Sequence, residues 1–323
     1  MVGTVVRKAA NEVTAVHKLL AEHGKAGVLQ LDFDRPVVEA AAGYMSNEDD
    51  DIGFVYSGWA QSALPHKRLA DGATWQVHTD HATLMVQPGV RPSLVGDAIP
   101  VGVPYGSRAR LIMLYLQTEA LKNSSREVEL GRTLHSWLKR LNIPVGGTGM
   151  TAVREQAERI SRCRISFQIR RGDRVGLVNQ NVLDTALFLE DDTAQGSLFI
   201  EKATLSQTFY DQLKKHPVPV EEKAIGELSN NSMAIDVYCF LAYRLHSLKA
   251  PTFVSWAALH AQFGRTLPDI AKFRWYFKKT LALALAVYPD AEVDIADCGL
   301  TLNPSRSPVS PKVVAMSTKR LKG

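Results

Sequence analysis

Hydrophobic positions in two stretches of the chain follow one order: helix, short strand, helix, turn, helix and β-hairpin. In the first stretch, residues 104–175, apolar side chains recur three and four positions apart, which is typical of helices with one buried face. Gly106-Ser107 begins the first predicted helix, and residues 127–130 form a short strand. The apolar positions are Leu111, Leu114, Tyr115 and Leu121 in the first helix, Leu134, Trp137, Leu138 and Leu141 in the second (131–141), and Met150, Val153, Ala157 and Ile160 in the third (about 150–162). Alternation at 164–170 and 175–178 around Gly172-Asp173 predicts a hairpin.

The second stretch, residues 230–303, repeats this order with a different sequence. The pattern predicts a helix over 233–248, a strand at 252–254, a helix over 255–262 and a hairpin formed by 292–295 and 300–302. Between them, Pro268 and Asp269 predict the start of a long helix, because proline suits the first turn and an acid complements the helix dipole. Ile270, Phe273, Phe277, Leu281 and Ala284 predict its buried face.

These patterns predict an α+β fold of tandem winged-helix domains, each a helix-turn-helix followed by a β-hairpin wing, with a small N-terminal extension. Residues 8–23 predict a helix that ends at Gly24, and the acidic run 48–51 predicts an exposed linker. We therefore expect an N-terminal helix and linker at 1–50, a first winged-helix domain with N-terminal strands at 51–200, a second winged-helix domain at 201–303, and a disordered basic tail at 304–323.

Charge is distributed unevenly, although the net value is only +5. Counting side chains gives −4 for residues 1–100 (8 basic, 12 acidic), +6 for 101–190 (14 and 8) and +3 for 191–323 (16 and 13). The basic excess begins where the first helical stretch begins, and this is the distribution expected of a protein that contacts phosphates. The alternative is a solvated basic surface without a ligand.

The residues expected to contact DNA are polar side chains on the outward face of each third helix and at the first hairpin. A winged helix places its third helix in the major groove and its hairpin near the phosphates, and arginine can also pair with guanine. The candidates are Thr151, Arg154, Glu155, Arg159, Arg162, Arg170, Arg171 and Arg174 in the first stretch, and Lys272, Arg274, Trp275, Lys278 and Lys279 in the second. The alternative is a solvent-facing helix, with Arg154–Glu158 and Glu155–Arg159 paired within it.

Motifs that carry catalysis or hold a cofactor are missing, so we expect a non-catalytic protein without cofactor or metal. The turn at 146–149 lacks the lysine of a Walker loop, and there is no G-x-S-x-G elbow. The run 78–81, His-Thr-Asp-His, offers metal ligands, but neighbouring side chains of a strand alternate faces, which favours a polar surface. The paired histidines of rolling-circle nickases are absent, while a tyrosine nuclease stays open because the chain has nine tyrosines.

Cysteine spacing and hydropathy indicate a reducing compartment. Cys163, Cys239 and Cys298 lie far apart without the spacing of a disulfide framework or zinc site. No apolar run approaches the ~18 residues of a membrane helix, and the N-terminus lacks the apolar segment of a signal peptide. We therefore expect a cytoplasmic protein that does not enter a membrane.

Several sequence blocks resemble the plasmid-encoded RepA replication proteins over residues 50–300. They are Tyr56-Ser57-Gly58-Trp59, Leu64-Pro65-His66-Lys67-Arg68, Val101–Leu111, Val128–Gly131 and Arg154–Arg159. The whole chain is most similar to the initiators of the IncW class of broad-host-range plasmids. The resemblance implies binding to double-stranded origin DNA with direct repeats (iterons), opening of the origin, and recruitment of the host initiator and replicative helicase. It also implies a monomer–dimer equilibrium in which the dimer represses its own gene and copy number is controlled.

The hypothesis is thus a DNA-binding initiator of plasmid replication. In twin winged-helix initiators the second unit commonly reads the repeat, whereas here the first stretch is richer in arginine, so the division of labour stays open. An operator-binding transcriptional regulator without initiation activity is the alternative. Pro65-His66-Lys67-Arg68 is interpreted as a structural turn.

Overall fold

The computed structural model describes residues 8–79, 82–93, 95–140, 143–144, 146–171, 174–190 and 198–310. Its helices are α1 (Lys8–Val28), α2 (Arg35–Ser46), α3 (Ser57–Ala60), α4 (Gly106–Lys122), α5 (Gly131–Arg140), α6 (Thr148–Arg162), α7 (Gln207–Lys215), α8 (Glu222–Leu228), α9 (Ser232–Arg244), α10 (Trp256–Phe263) and α11 (Ile270–Ala286). A 3-10 turn covers Leu245–Ser247.

The strands are short and belong to several small sheets. They are β1 (Ile52–Tyr56), β2 (Trp75–His78), β3 (Ala82–Gln87), β4 (Gly89–Arg91), β5 (Ile99–Gly102), β6 (Glu127–Glu129), β7 (Arg164–Arg171), β8 (Arg174–Asn181), β9 (Leu183–Glu190), β10 (Leu198–Leu205), β11 (Pro217–Glu221), β12 (Thr252–Ser255), β13 (Val293–Ile295) and β14 (Gly299–Leu302). The predicted mixed α+β class is confirmed.

The chain divides into two compact units. Among the described residues, the central unit is Gly53–Pro217, and the terminal unit combines the residues up to Ile52 with residues 218–310. The terminal unit therefore takes α1 and α2 from one end of the chain and α8–α11 from the other, a division that differs from a simple succession of domains. The predicted boundaries at 50/51 and 200/201 stay predictions.

In the terminal unit, the elements from α9 to β14 lie close to their predicted positions. β12 pairs with β14, and β14 pairs with β13, all antiparallel. The core of this region is aromatic: Phe273 and Phe277 of α11 contact each other at a centroid separation of 5.3 Å, and Phe277 also meets Phe263 of α10 at 5.6 Å. Helix α1 breaks at Gly24, whose φ of 67° lies in the left-handed region that glycine tolerates, as the predicted helix end requires.

In the central unit, the predicted hairpin after α6 belongs to a larger sheet. Strands β7 and β8 form that hairpin, but β7 pairs with β3, which makes a four-stranded sheet in the order β2-β3-β7-β8. The strand between the first two helices, β6, pairs instead with β10 of a later hairpin, in the order β6-β10-β9. The hairpin predicted after α6 is therefore present, whereas strands β9 and β10, which pair with β6, were not predicted.

The β6-β10-β9 sheet has the same order as β12-β14-β13 in the terminal unit. In both, the strand that follows the first helix pairs with the second strand of a hairpin that comes after the third helix. The repeated element order is thus present in both units, and β7–β8 is an additional hairpin inserted between α6 and β9.

The sequence blocks around α4 pack together in the central unit. Gly106 N–H donates to the Pro65 carbonyl at 2.9 Å. The buried Arg110 guanidinium donates to the carbonyls of Leu64 at 2.8 Å and Pro65 at 3.3 Å. On the same helix, the Gln117 side chain accepts from Tyr56 N–H at 2.7 Å. These contacts give Leu64–Arg68 a structural role at the start of α4.

Candidate nucleic-acid interface

Helix α11 begins with a side-chain cap and a tight turn from α10. Asp269 Oδ1 accepts hydrogen bonds from the N–H groups of Ala271 at 2.8 Å and Lys272 at 3.1 Å, which satisfies two donors that have no partner within the helix. The turn starts at Gly264, where a Cβ atom would overlap the His260 and Phe273 rings. The His260 ring nitrogen Nε2 lies 2.7 Å from the Leu267 carbonyl and holds the turn closed.

Two faces of α11 differ sharply. Phe273, Phe277, Leu281 and Ala284 are buried, as the apolar pattern predicted. The opposite face carries Lys272, Lys278 and Lys279, all exposed, together with Trp275, which is 61% exposed. Ile270, predicted to be buried, is 45% exposed because it is the first residue of the helix. The outward face is therefore cationic and also aromatic.

The ammonium groups of these lysines form no ion pair with a described carboxylate, and the nearby Asp269 carboxylate is engaged by backbone N–H groups. Within the part of the chain that the structure describes, no carboxylate lies within ion-pair distance of Lys272, Lys278 or Lys279. A lysine without a carboxylate partner keeps its full charge available for an anionic ligand. A row of such lysines on one helix face is suited to binding phosphates.

Trp256 and Arg274 connect α11 to the hairpin that follows it. The buried Trp256 indole donates to the carbonyls of Ala296 at 3.3 Å and Asp297 at 3.1 Å, in the β13–β14 turn. The Arg274 guanidinium donates to the same Asp297 carbonyl at 2.6 Å and lies 5.3 Å from the Trp256 ring centroid. Arg274 is thus half-buried and engaged by the hairpin, so it orients the turn beside the outward face.

Helix α6 presents a different environment, and the expected outward position of Arg159 is wrong. Arg159 is only 3% exposed. Its guanidinium donates to Asp71 Oδ1 at 3.1 Å and to the Val103 carbonyl at 3.2 Å, and lies 2.9 Å from Glu155 Oε1. The buried face of α6 is wider than the apolar pattern indicated because Gln156 and Arg159 are buried beside Val153 and Ile160.

Arg162 of α6 also forms an ion pair with a carboxylate. Arg162 Nε donates to Glu158 Oε1 at 3.2 Å, and the same carboxylate receives two hydrogen bonds from Arg91, at 2.9 and 2.7 Å. Arg162 also donates to the Val90 carbonyl at 3.1 Å. The alternative of ion pairs within the helix holds for Glu155–Arg159, while Glu158 pairs with Arg162 and Arg91.

The remaining candidates of the central unit are Thr151 and Arg154 of α6 and three arginines of β7 and β8. Thr151 is exposed, with its hydroxyl 3.3 Å from the Gly147 carbonyl, and Arg154 is half-buried. Arg170, Arg171 and Arg174 lie on β7 and β8, and their side chains are outside the described part of the structure, as is the turn at 172–173. These strands belong to the sheet with β2 and β3.

The Arg159 cluster has a clear electrostatic signature at Asp71. Burial raises the pKa of the Asp71 carboxyl, but hydrogen bonds from Arg68 and Arg159, and the charges of both, outweigh burial and hold the pKa below its usual value. Tyr105 belongs to the same cluster, since the Arg159 guanidinium lies 5.2 Å from its ring centroid. Asp71 was missed in the sequence because it lies 88 positions from Arg159, beyond any local pattern.

Metal and membrane sites receive no support from the described residues. His78 lies 3.0 Å from the Thr83 hydroxyl, while Asp80 and His81 lie outside the description. Across the described ranges, no group of three His, Cys, Asp or Glu side chains could hold a metal ion. Nor is any described helix long and apolar enough to cross a membrane.

Residues 103–257 match the family model described as plasmid encoded RepA protein. The resemblance to the RepA family is confirmed over this segment. The match includes α4 to α9 and reaches the start of α10, so α11 lies beyond it. The narrower similarity to the IncW class stays a prediction. A search of curated proteins found no match.

Among solved structures, the chain resembles domains 2 and 3 of RctB. One crystal structure of these domains matches with a TM-score of 0.51 and 10% sequence identity, over 79% of this chain and 99% of that chain. A second, of RctB domains 2–3, matches with a TM-score of 0.41 and 10% identity, over 73% and 85%. The first match establishes a similarity of fold at a sequence identity too low to indicate shared residues.

Proposed function

We propose that this RepA-like protein is a replication initiator that binds direct repeats at a plasmid origin through α11 of its terminal unit. The observation that carries the proposal is the outward face of α11, where three exposed lysines without described carboxylate partners lie on the same helix face as an exposed tryptophan. The helix follows a capped turn and precedes a hairpin, the order of a winged helix that lies in the major groove. The RepA family match supports the link to plasmids.

The proposal assigns most duplex contact to the terminal unit. Phosphate contact supplies most of the affinity of such proteins, and cations that are already neutralised contribute little to it. In α6, Arg159 is buried and Arg162 pairs with Glu158. The first winged helix then serves for contacts other than base reading, including the self-association and the host initiator and helicase contacts that the family resemblance implies.

The decisive experiment is a gel-shift titration at fixed salt with two origin fragments of equal length. One carries the direct repeats, and in the other they are scrambled. Specific sites typically bind at least ~10³-fold more tightly than non-specific DNA, so a large preference for the repeats is expected. Equal affinity for both fragments contradicts the proposal.

Two further readouts separate the alternatives. A plasmid whose own copy of the gene is deleted should be lost from cells, since an initiator is needed for maintenance. If the plasmid persists and only expression changes, the operator-binding regulator is correct. Supercoiled origin DNA incubated with the protein and Mg²⁺ should stay uncut, because the proposal assigns the protein no catalysis.

A further inference from the structure

The exposed Trp275 of α11 offers two recognition features at one position. Its indole ring is apolar and 61% exposed, and among the described residues no acceptor is hydrogen-bonded to its Nε1–H. Exposure of a large aromatic side chain costs hydrophobic free energy that burial against a partner recovers. Its position between Lys272 and Lys279 places it on a face that is suited to a phosphate-bearing ligand.

Lys279 restrains the indole. Its ammonium nitrogen lies 4.4 Å from the centroid of the Trp275 ring, a cation–π distance. One face of the ring is therefore covered, which disfavours stacking of an unpaired base on that face. Bases in a duplex are stacked and present only their edges in the groove, so the part of the indole suited to reading them is its own edge, with the Nε1–H donor and the adjoining apolar carbons.

Thymine is the base whose major-groove edge matches this donor and apolar surface. It presents the O4 acceptor beside the C5-methyl group, whereas cytosine presents an N4 amino donor and guanine presents acceptors without a methyl. Resting on the DNA-binding role of α11 proposed above, we propose that Trp275 determines specificity by reading a thymine in each repeat. The indole N–H donates to O4, and the ring packs on the methyl group.

Base substitutions in the bound DNA test the proposal with the wild-type protein, so a variant that fails to fold cannot affect the result. Each thymine of the bound repeat is replaced in turn by uracil, which removes only the methyl group. At one position the affinity of the wild-type protein should fall about three- to fourfold, the factor for one buried methyl-sized group. Replacing that T·A pair by 5-methylcytosine·G keeps the methyl group but sets the N4 amino donor of cytosine against the indole N–H donor. The affinity should then fall at least about fivefold.

Three variants assign the effect to Trp275. Trp275→Ala should bind more weakly and no longer distinguish thymine from uracil. Trp275→Phe keeps an aromatic ring without the donor, so it should retain the uracil penalty but tolerate 5-methylcytosine better than wild type. The matched control, Lys272→Ala, should weaken binding while leaving both penalties unchanged.

The outcomes separate this proposal from the role in origin binding. If the wild-type protein does not prefer the repeats at all, the proposed function fails before Trp275 is tested. If it prefers them but is insensitive to uracil at every thymine, or if Trp275→Ala keeps the same uracil penalty, the function stands and the thymine contact is refuted.

Discussion

Helices α6 and α11 carry similar numbers of cations at similar places in a repeated element order, yet their surroundings differ. In α6, Arg159 is buried against Asp71 and Glu155, and Arg162 shares Glu158 with Arg91. In α11, the lysines have no described carboxylate within ion-pair distance and share the outward face with an exposed tryptophan. The comparison teaches that the position of carboxylates distant in sequence, more than the number of cations on a helix, decides whether those cations are available to a ligand.

The largest expected effect comes from removing two lysines of α11. Lys272→Ala with Lys278→Ala should lower affinity for any duplex roughly tenfold or more at physiological salt, because each lost phosphate contact removes counterion release. The slope of log K against log salt should become shallower by about one per lost contact. Fluorescence anisotropy titrations between 50 and 200 mM salt measure both quantities.

A charge-matched control sharpens this prediction. Lys214→Ala with Lys215→Ala removes two exposed lysines from the last turn of α7 in the central unit and changes the net charge equally. This variant should keep the wild-type slope. If the two double variants lose the same slope, DNA binding depends on overall charge, and the assignment of α11 as the interface is wrong.

The next effect tests Arg159 of α6. Arg159→Met keeps an unbranched apolar stem but removes the guanidinium donor from Glu155 and the Val103 carbonyl and leaves Asp71 with Arg68 alone. Removing one partner of a buried ion pair costs about 3–5 kcal/mol when both partners are buried. Because Asp71 and Glu155 are more than a third exposed, about 1–3 kcal/mol is expected here.

Thermal unfolding and DNA titration together give the outcome for Arg159→Met. The melting temperature should fall by several degrees, given about 2–4 °C per kcal/mol for a unit of this size, while the salt slope of DNA binding should stay unchanged. A protein that melts as wild type but shows a shallower slope would return Arg159 to the DNA interface. Lys272→Met, which removes one positive charge from an exposed position, is the matched control and should leave the melting temperature nearly unchanged.

The sequence predicts local structure in this protein better than long-range pairing. The segment from α9 to β14 was anticipated closely because periodic apolar residues, Asp269 and the hairpin turn are all local signals. The strands that pair with β6 and β7 were not predicted, because these partners, β10 and β3, lie about 70 to 90 residues away in sequence. Arg159 looked exposed for the same reason: only the fold brings Asp71 to it.

Trp275 illustrates what a helical pattern can establish at a candidate site. Its spacing from Phe273 and Phe277 placed it on the outward face, and the structure agrees, with 61% of the residue exposed. The pattern did not indicate that Lys279 lies on the ring, because that contact depends on the rotamers of both side chains. Helix faces thus follow from sequence, whereas recognition geometry requires coordinates.

The smallest expected effect is a pH dependence confined to the α6 region. Since the hydrogen bonds and charges of Arg68 and Arg159 outweigh burial and lower the pKa of Asp71 in the folded state, the ionised carboxylate stabilises the fold at pH values above the ordinary aspartate pKa of about 3.9. That contribution is lost as the pH falls from there through the lowered folded-state pKa.

Asp71→Asn keeps a hydrogen-bond acceptor beside Arg68 and Arg159 but removes the charge, so its melting temperature should lie slightly below that of wild type at pH 7. The difference should shrink as the pH falls below about 3.9, because Asp71 is then protonated first in the unfolded state and, at lower pH, in the folded state as well. Melting temperatures of both proteins, measured from pH 7 to pH 3 in one buffer series, check this convergence. A gap that stays constant across the series would mean that Asp71 acts through its shape alone, and the electrostatic contrast between α6 and α11 would then rest on Glu155 and Glu158.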